Sequence, residues 1–119
     1  MHNFKELKVW QKAVYFATKI MKTTSEFPSA EKFGISSQMN RAAVSIPSQS
    51  AEGCGRNSDK NLVRFLSIST GSAYELETQL FISNRMGYID SNQLNLLQND
   101  CNELQKMIFK LQKGYNTDK

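Results

Sequence analysis

Histidine is nearly missing: the single one, His2, is the second residue of a 119-residue chain. A Ser-His or Cys-His nucleophile pair therefore has no positioned base in the body of the sequence. The carboxylates Glu52, Glu75, Glu77 and Asp100 would suit a di-iron bundle only alongside Glu-x-x-His pairs, and none is present. No metal site and no cofactor are expected. Cysteine is scarce too. Cys54 and Cys101 stand in separate predicted elements without a CxxC or a histidine partner, which excludes a zinc or redox motif and leaves two packing thiols. No G-x-x-x-x-G-K-[ST] phosphate loop occurs, and no apolar run approaches the ~20 residues that span a bilayer. The amino end is charged within its first turn and lacks the apolar core of a signal peptide. A cytosolic, non-enzymatic protein with no membrane partner is the expectation.

What remains is helical. The composition, 39% hydrophobic and 22% charged, is that of a globular chain, and its length suits one domain. Hydrophobic period and cap signals predict helices over about 4–25, 35–52, 59–85 and 91–113. Asn3 with Glu6 reads as a capping box for the first of these. Leu7, Val9, Trp10, Ala13, Val14, Phe16, Ala17, Ile20 and Met21 then occupy about half of its circumference. Lys5, Lys8, Lys12, Lys19 and Lys22 gather opposite, with Glu6 the one acid among them. Phe27-Pro28-Ser29 ends that helix, since proline drives its predecessor out of helical angles. In the second helix, Ile35, Met39, Ala42, Ala43 and Ile46 face the core, and Pro47 predicts a kink. Its outer face, Gln38, Arg41, Ser45, Gln49 and Glu52, is polar but almost uncharged, which suits a second contact surface.

Ser58 caps the third helix, whose core row is Leu62, Phe65, Leu66, Ala73, Leu76 and Leu80. A separate row, Val63, Tyr74 and Phe81, exceeds what a lone bundle needs and predicts an interface with another copy of the chain. Asp90 and Gln93 box the last helix, with Ile89 stapled on Leu94. Leu94, Leu97, Cys101, Leu104, Met107, Ile108 and Leu111 form its core face, and Lys106, Lys110 and Lys113 a second basic stripe. Asp100 is expected to pair with an arginine, and the tail from Gly114 to fray. Short connections make the whole an all-α, antiparallel up-and-down four-helix bundle with a kinked second helix.

Three signature runs lie in the middle: R-A-A-V-S-I-P-S at Arg41–Ser48, A-E-G-x-G-R at Ala51–Arg56, and F-L-x-I-x-x-G-S-x-x-E-L-E at Phe65–Glu77. With F-K-E-L-K-V-W-Q-K-A at Phe4–Ala13 and Gly87-Tyr88-Ile89, these resemble the four-helix-bundle family of proteins encoded in intervening sequences of bacterial 23S ribosomal RNA genes. That family includes the accessory variability proteins of diversity-generating retroelements. Gln49-Ser50 departs from the Asn-Ile that many relatives carry there. The resemblance implies a pentameric ring, and relatives that work with a reverse transcriptase and its RNA.

Two readings stand for Gly53-x-Gly55-Arg56. Either Gly53 supplies a left-handed helix ending and Arg56 pairs with Glu52, or amides at the next helix start hold an anion. Arg41, Glu52, Arg56, Glu75 and Glu77 are expected as structural ion pairs. The net charge of +4 suits an anionic partner. The sequence therefore predicts a homo-oligomer that binds RNA or DNA, with little sequence preference, through Lys5, Lys8, Lys12, Lys19, Lys22, Lys106, Lys110 and Lys113. The alternative is a protein-interaction module that docks an acidic partner and no nucleic acid.

Overall fold

A computed structural model describes residues 3–115, so His2 lies outside the described residues. Four helices fill it: α1 (Lys8–Thr24), α2 (Ile35–Cys54), α3 (Asp59–Arg85) and α4 (Ser91–Tyr115). Short 3-10 turns stand at Phe4–Glu6 and Ser29–Glu31, and no strand occurs among the described residues. Each helix packs on its sequence neighbours, and α4 closes on α1.

Cross-helix contacts fix the register. Ser72 donates to Ser45 at 2.9 Å and Ser83 to the Met39 sulfur at 3.3 Å, so numbers rise along α2 as they fall along α3. The same opposition holds for Cys101 donating to the Ala73 carbonyl at 3.2 Å and Gln112 to the Val63 carbonyl at 3.0 Å. Lys12 meets Glu103 and Lys19 meets Asp100, each at 2.6 Å, which sets α4 against α1. Neighbouring helices thus run in opposite directions around a particle of 46 × 22 × 21 Å.

The caps show why these elements start where they do. Ser58 accepts from the Asn61 amide at 3.1 Å to open α3. At α4, Asp90 accepts from the Gln93 amide at 2.8 Å while the Gln93 side chain accepts from the Asp90 amide at 3.3 Å, the reciprocal box expected there.

The first helix differs from expectation. Asn3 caps only the 3-10 turn, accepting from Lys5 at 3.2 Å, and Leu7 is extended (φ −73°, ψ 125°), so α1 begins at Lys8. Phe4 packs edge-on against Trp10 at 5.2 Å, and this contact turns the opening segment back on the helix. Glu6 closes no box. Val14 and Met21, placed on the core arc from sequence, are exposed, because the core takes a narrower stripe than half the helix. At the other terminus α4 continues through Gly114 to Tyr115 rather than fraying at the glycine; the remaining tail lies outside the described residues.

The tightest packing joins α2 to α3. Ala42, Ala43, Ser50, Ser69 and Ala73 are all buried, and small side chains let the two backbones approach. The Ile46 carbonyl accepts from the Ser50 and Ser69 hydroxyls, each at 2.9 Å, which satisfies buried polar groups inside an apolar seam. Pro47 removes one amide donor, yet α2 continues as helix across it to Cys54. Gly53 corrects another expectation. It lies inside α2 and is not left-handed; the only positive φ among the described residues is that of Gly87, at 80°. Gly53 is small because a Cβ there would come within 3.0 Å of the Phe65 Cβ and 3.1 Å of Leu62 Cδ1.

Two predictions follow from this packing. Gly53→Ala should lower unfolding stability by about 1–2 kcal/mol through overpacking. Gly71→Ala, mid-helix with nothing within 4 Å of its added Cβ, should raise it by about 0.5–1 kcal/mol. Urea unfolding of both variants reads the opposite signs. Separately, burial, aided by the Glu77 carboxylate, pushes the Cys101 thiol from 9.0 up to about 12. The unfolded thiol ionises first, so its contribution is fully present below about pH 9 and lost as pH rises toward 12. Wild type should therefore lose stability faster than Cys101→Ala over that window in pH-dependent urea titrations.

Candidate nucleic-acid interface

The lysines predicted to act together are divided by the fold. On α1, Lys12 and Lys19 sit at the edge facing α4 and are ion-paired with Glu103 and Asp100. The partner of Asp100 is thus Lys19 rather than an arginine, reached across 81 residues of sequence. The α1 stripe looked free of acids because its acids are supplied by another helix. Both lysines are partly covered and both charges matched, so they present little to an outside anion. Lys22 is exposed at the opposite end of the bundle from Lys5.

Lys5, Lys8, Lys106, Lys110 and Lys113 are exposed, and the antiparallel register gathers them. The start of α1, the α2–α3 turn and the end of α4 share one half of the molecule. The turn adds Arg56 and the start of α3 adds Lys60 and Arg64, of which sequence reasoning singled out only Arg56, and only as a pairing residue. The half made of residues 3–16, 45–72 and 103–115 holds nine cations and four acids, a net of +5. The other half, 17–44 and 73–102, holds five cations and six acids, a net of −1. The excess of the whole chain therefore lies at one end. The expected up-and-down topology was the signal that could have found Lys60 and Arg64.

Aromatic rings interleave with these cations. The Arg56 and Arg64 guanidinium groups lie 5.1 and 5.0 Å from the Phe65 ring centre, and the Lys113 ammonium lies 5.7 Å from that of Phe109. The rings steady the basic side chains without using their hydrogen-bond donors.

Of the expected ion pairs, one forms: Arg56 with Glu52 at 2.6 Å, one helical turn apart. Glu77 accepts instead from the amide of Gln105 at 2.9 Å and that of Gln98 at 3.5 Å, because α4 presents glutamines, not cations, along this seam. Glu75 accepts from Gln79 at 3.4 Å. Arg41 has no ion pair among the described residues; with Gln38, Ser45, Ser72 and Glu75 it lines a polar cleft of about 350 Å³. The outer face of α2 is therefore one wall of a cleft whose other wall is α3. Gln79 is buried, and its side-chain oxygen has no partner among the described residues.

Of the expected interface row, Tyr74 and Phe81 are exposed, whereas Val63 is half-buried beneath Gln112. Phe109 of α4 extends the row, sharing a shallow groove with Tyr74.

A family model described as 23S rRNA-intervening sequence protein matches residues 5–110. The chain belongs to this family. Its fold is also similar to the crystal structure, at 1.70 Å, of a protein with unknown function from the S23 ribosomal protein family of Bacteroides thetaiotaomicron VPI-5482. The TM-score is 0.82 and the identity 27%, over 88% of this chain and 95% of that one. Comparison with curated proteins gives no match. The match takes in all three signature runs, whose polar residues Arg41, Ser45, Ser72 and Glu75 the fold brings into the one cleft. In this family member no helix among the described residues is long and apolar enough to cross a membrane.

Asp100→Asn should cost about 1 kcal/mol of stability at low salt and less at high salt, because it strands a half-covered Lys19 ammonium. Lys5→Ala, with no partner to strand, should stay within about 0.5 kcal/mol. Thermal unfolding at two ionic strengths compares them.

Proposed function

We propose that this protein is a non-enzymatic, homo-oligomeric scaffold that holds nucleic acid against the basic half of its bundle. The observation that supports it is the segregation of charge: a modest net charge becomes a net of +5 on one half, where seven of the nine cations have no ion pair among the described residues. Phosphate contacts of this kind carry affinity without reading sequence, so binding is weakly selective. A scaffold rather than an enzyme fits the thiols. Both are buried and their pKa values raised, the direction that disfavours a nucleophilic thiolate.

Self-association rests on exposed Tyr74, Phe81 and Phe109, a larger apolar row than a monomer needs. A count of five comes from the family resemblance, and a reverse transcriptase partner likewise. In a ring, repetition of the basic half would make a continuous cationic rim. The second reading is docking of an acidic protein, favoured by the polar cleft in which Arg41 has no ion pair among the described residues. Co-purification of a protein that survives nuclease treatment would point to it.

The binding test uses fluorescence anisotropy with an RNA hairpin and a DNA hairpin of the same sequence across a salt series. Neutralising about four phosphates should give a log–log slope near −3 to −4. Reversal of Lys5, Lys8, Lys110 and Lys113 to Glu should abolish binding with the helical signal intact. Lys12→Gln and Lys19→Gln should leave the slope unchanged. Salt-independent affinity, or equal loss from the Lys12 and Lys19 variants, would remove the proposal.

A further inference from the structure

Along the seam between α1 and α4, lysines of α1 are answered by acids of α4 at two levels, Lys12 by Glu103 and Lys19 by Asp100. One turn nearer the start of α1 the pattern fails. Lys8 and Lys110 both border the same groove, and neither has an acid within ion-pair distance among the described residues. Between them lies an apolar floor of Leu7, Val9, Met107 and Leu111, in a groove of about 650 Å³. Val9 belongs to the buried core, and Leu7, Met107 and Leu111 are half-buried against it, so the groove opens directly onto the core. Its volume falls within the ~300–1,000 Å³ usual for small-molecule sites.

We infer that this groove binds a single-chain aliphatic carboxylate, with its chain on Leu7, Met107 and Leu111 and its head group between Lys8 and Lys110. The floor demands apolar matter and the rim demands negative charge, and an amphiphilic anion supplies both. A second copy docked by the same face would bring together two surfaces of net +5, and like charges oppose that contact; entry of a different face of a second copy is an outcome of the test below. A phosphate backbone would satisfy the two lysines but leave the floor exposed to water. The inference is independent of nucleic-acid binding, and its test contains none.

Sodium dodecanoate, below its micelle concentration, is titrated into the full chain by calorimetry. Saturable binding of one molecule per chain is expected, tightening about tenfold from decanoate to dodecanoate for two added methylenes. Dodecyltrimethylammonium should bind at least about tenfold more weakly, and the double variant Lys8→Gln, Lys110→Gln should erase that preference. Leu111→Trp should fill the groove and abolish binding; the lysine variants, changed only at the exposed rim, keep the test decisive if it does not fold. Absence of saturable binding, equal binding of the cationic amphiphile, or full binding by a folded Leu111→Trp would overturn the inference. A change in solution mass on Leu111→Trp would also overturn it, by assigning the groove to contact between copies.

Discussion

The close approach of α2 and α3 is the constraint on which the rest of the molecule depends. Two backbones can lie this near only where side chains are small, and Gly53 shows the limit, since even a methyl group would press on Phe65 and Leu62. Burying serine in such a seam requires acceptors inside it. The Ile46 carbonyl provides one for both Ser50 and Ser69. The other helices pack as layers on this pair, α1 against α2 and α4 against α3.

The seam opposite is of another kind. Where α4 closes on α1, ion pairs at Lys12 and Lys19 stand at its edge, and the bundle is least closely joined. Charged seams of this sort contribute little to stability individually, but they decide which helix faces may meet. They also use up lysines that would otherwise be counted as binding groups. With no acid matched to Lys8 or Lys110 among the described residues, that end of the seam is an open groove with an apolar floor. The α3–α4 seam is different again, with Gln98, Gln105 and Gln112 at heptad spacing donating to Glu77, Ser67 and the Val63 carbonyl.

Membership of the 23S rRNA-intervening sequence protein family accords with this division of labour. The signature runs serve the tight helix pair and its polar cleft, while the basic residues lie mainly on the outer surface around one end. The fold tolerates extensive change of sequence, as 27% identity at a TM-score of 0.82 with the Bacteroides relative illustrates.

The caps at Ser58 and Asp90 and the core rows of α3 and α4 were legible in the sequence, because each depends on residues within a few turns of one another. Leu7 was not legible as a break, since the Phe4–Trp10 contact outweighs an apparently continuous helical period. Gly53 was misread because glycine serves both left-handed endings and close approach, and only the neighbouring helix distinguishes them. Four amphipathic helices and their short connections are thus what the chain determines by itself, through local period and capping. Which lysines are free, which acid meets Lys19 and where the basic charge collects were settled only by the tertiary structure. Those outcomes depend on distances between helices that are remote in sequence, and electrostatic energy follows distance in space rather than position along the chain.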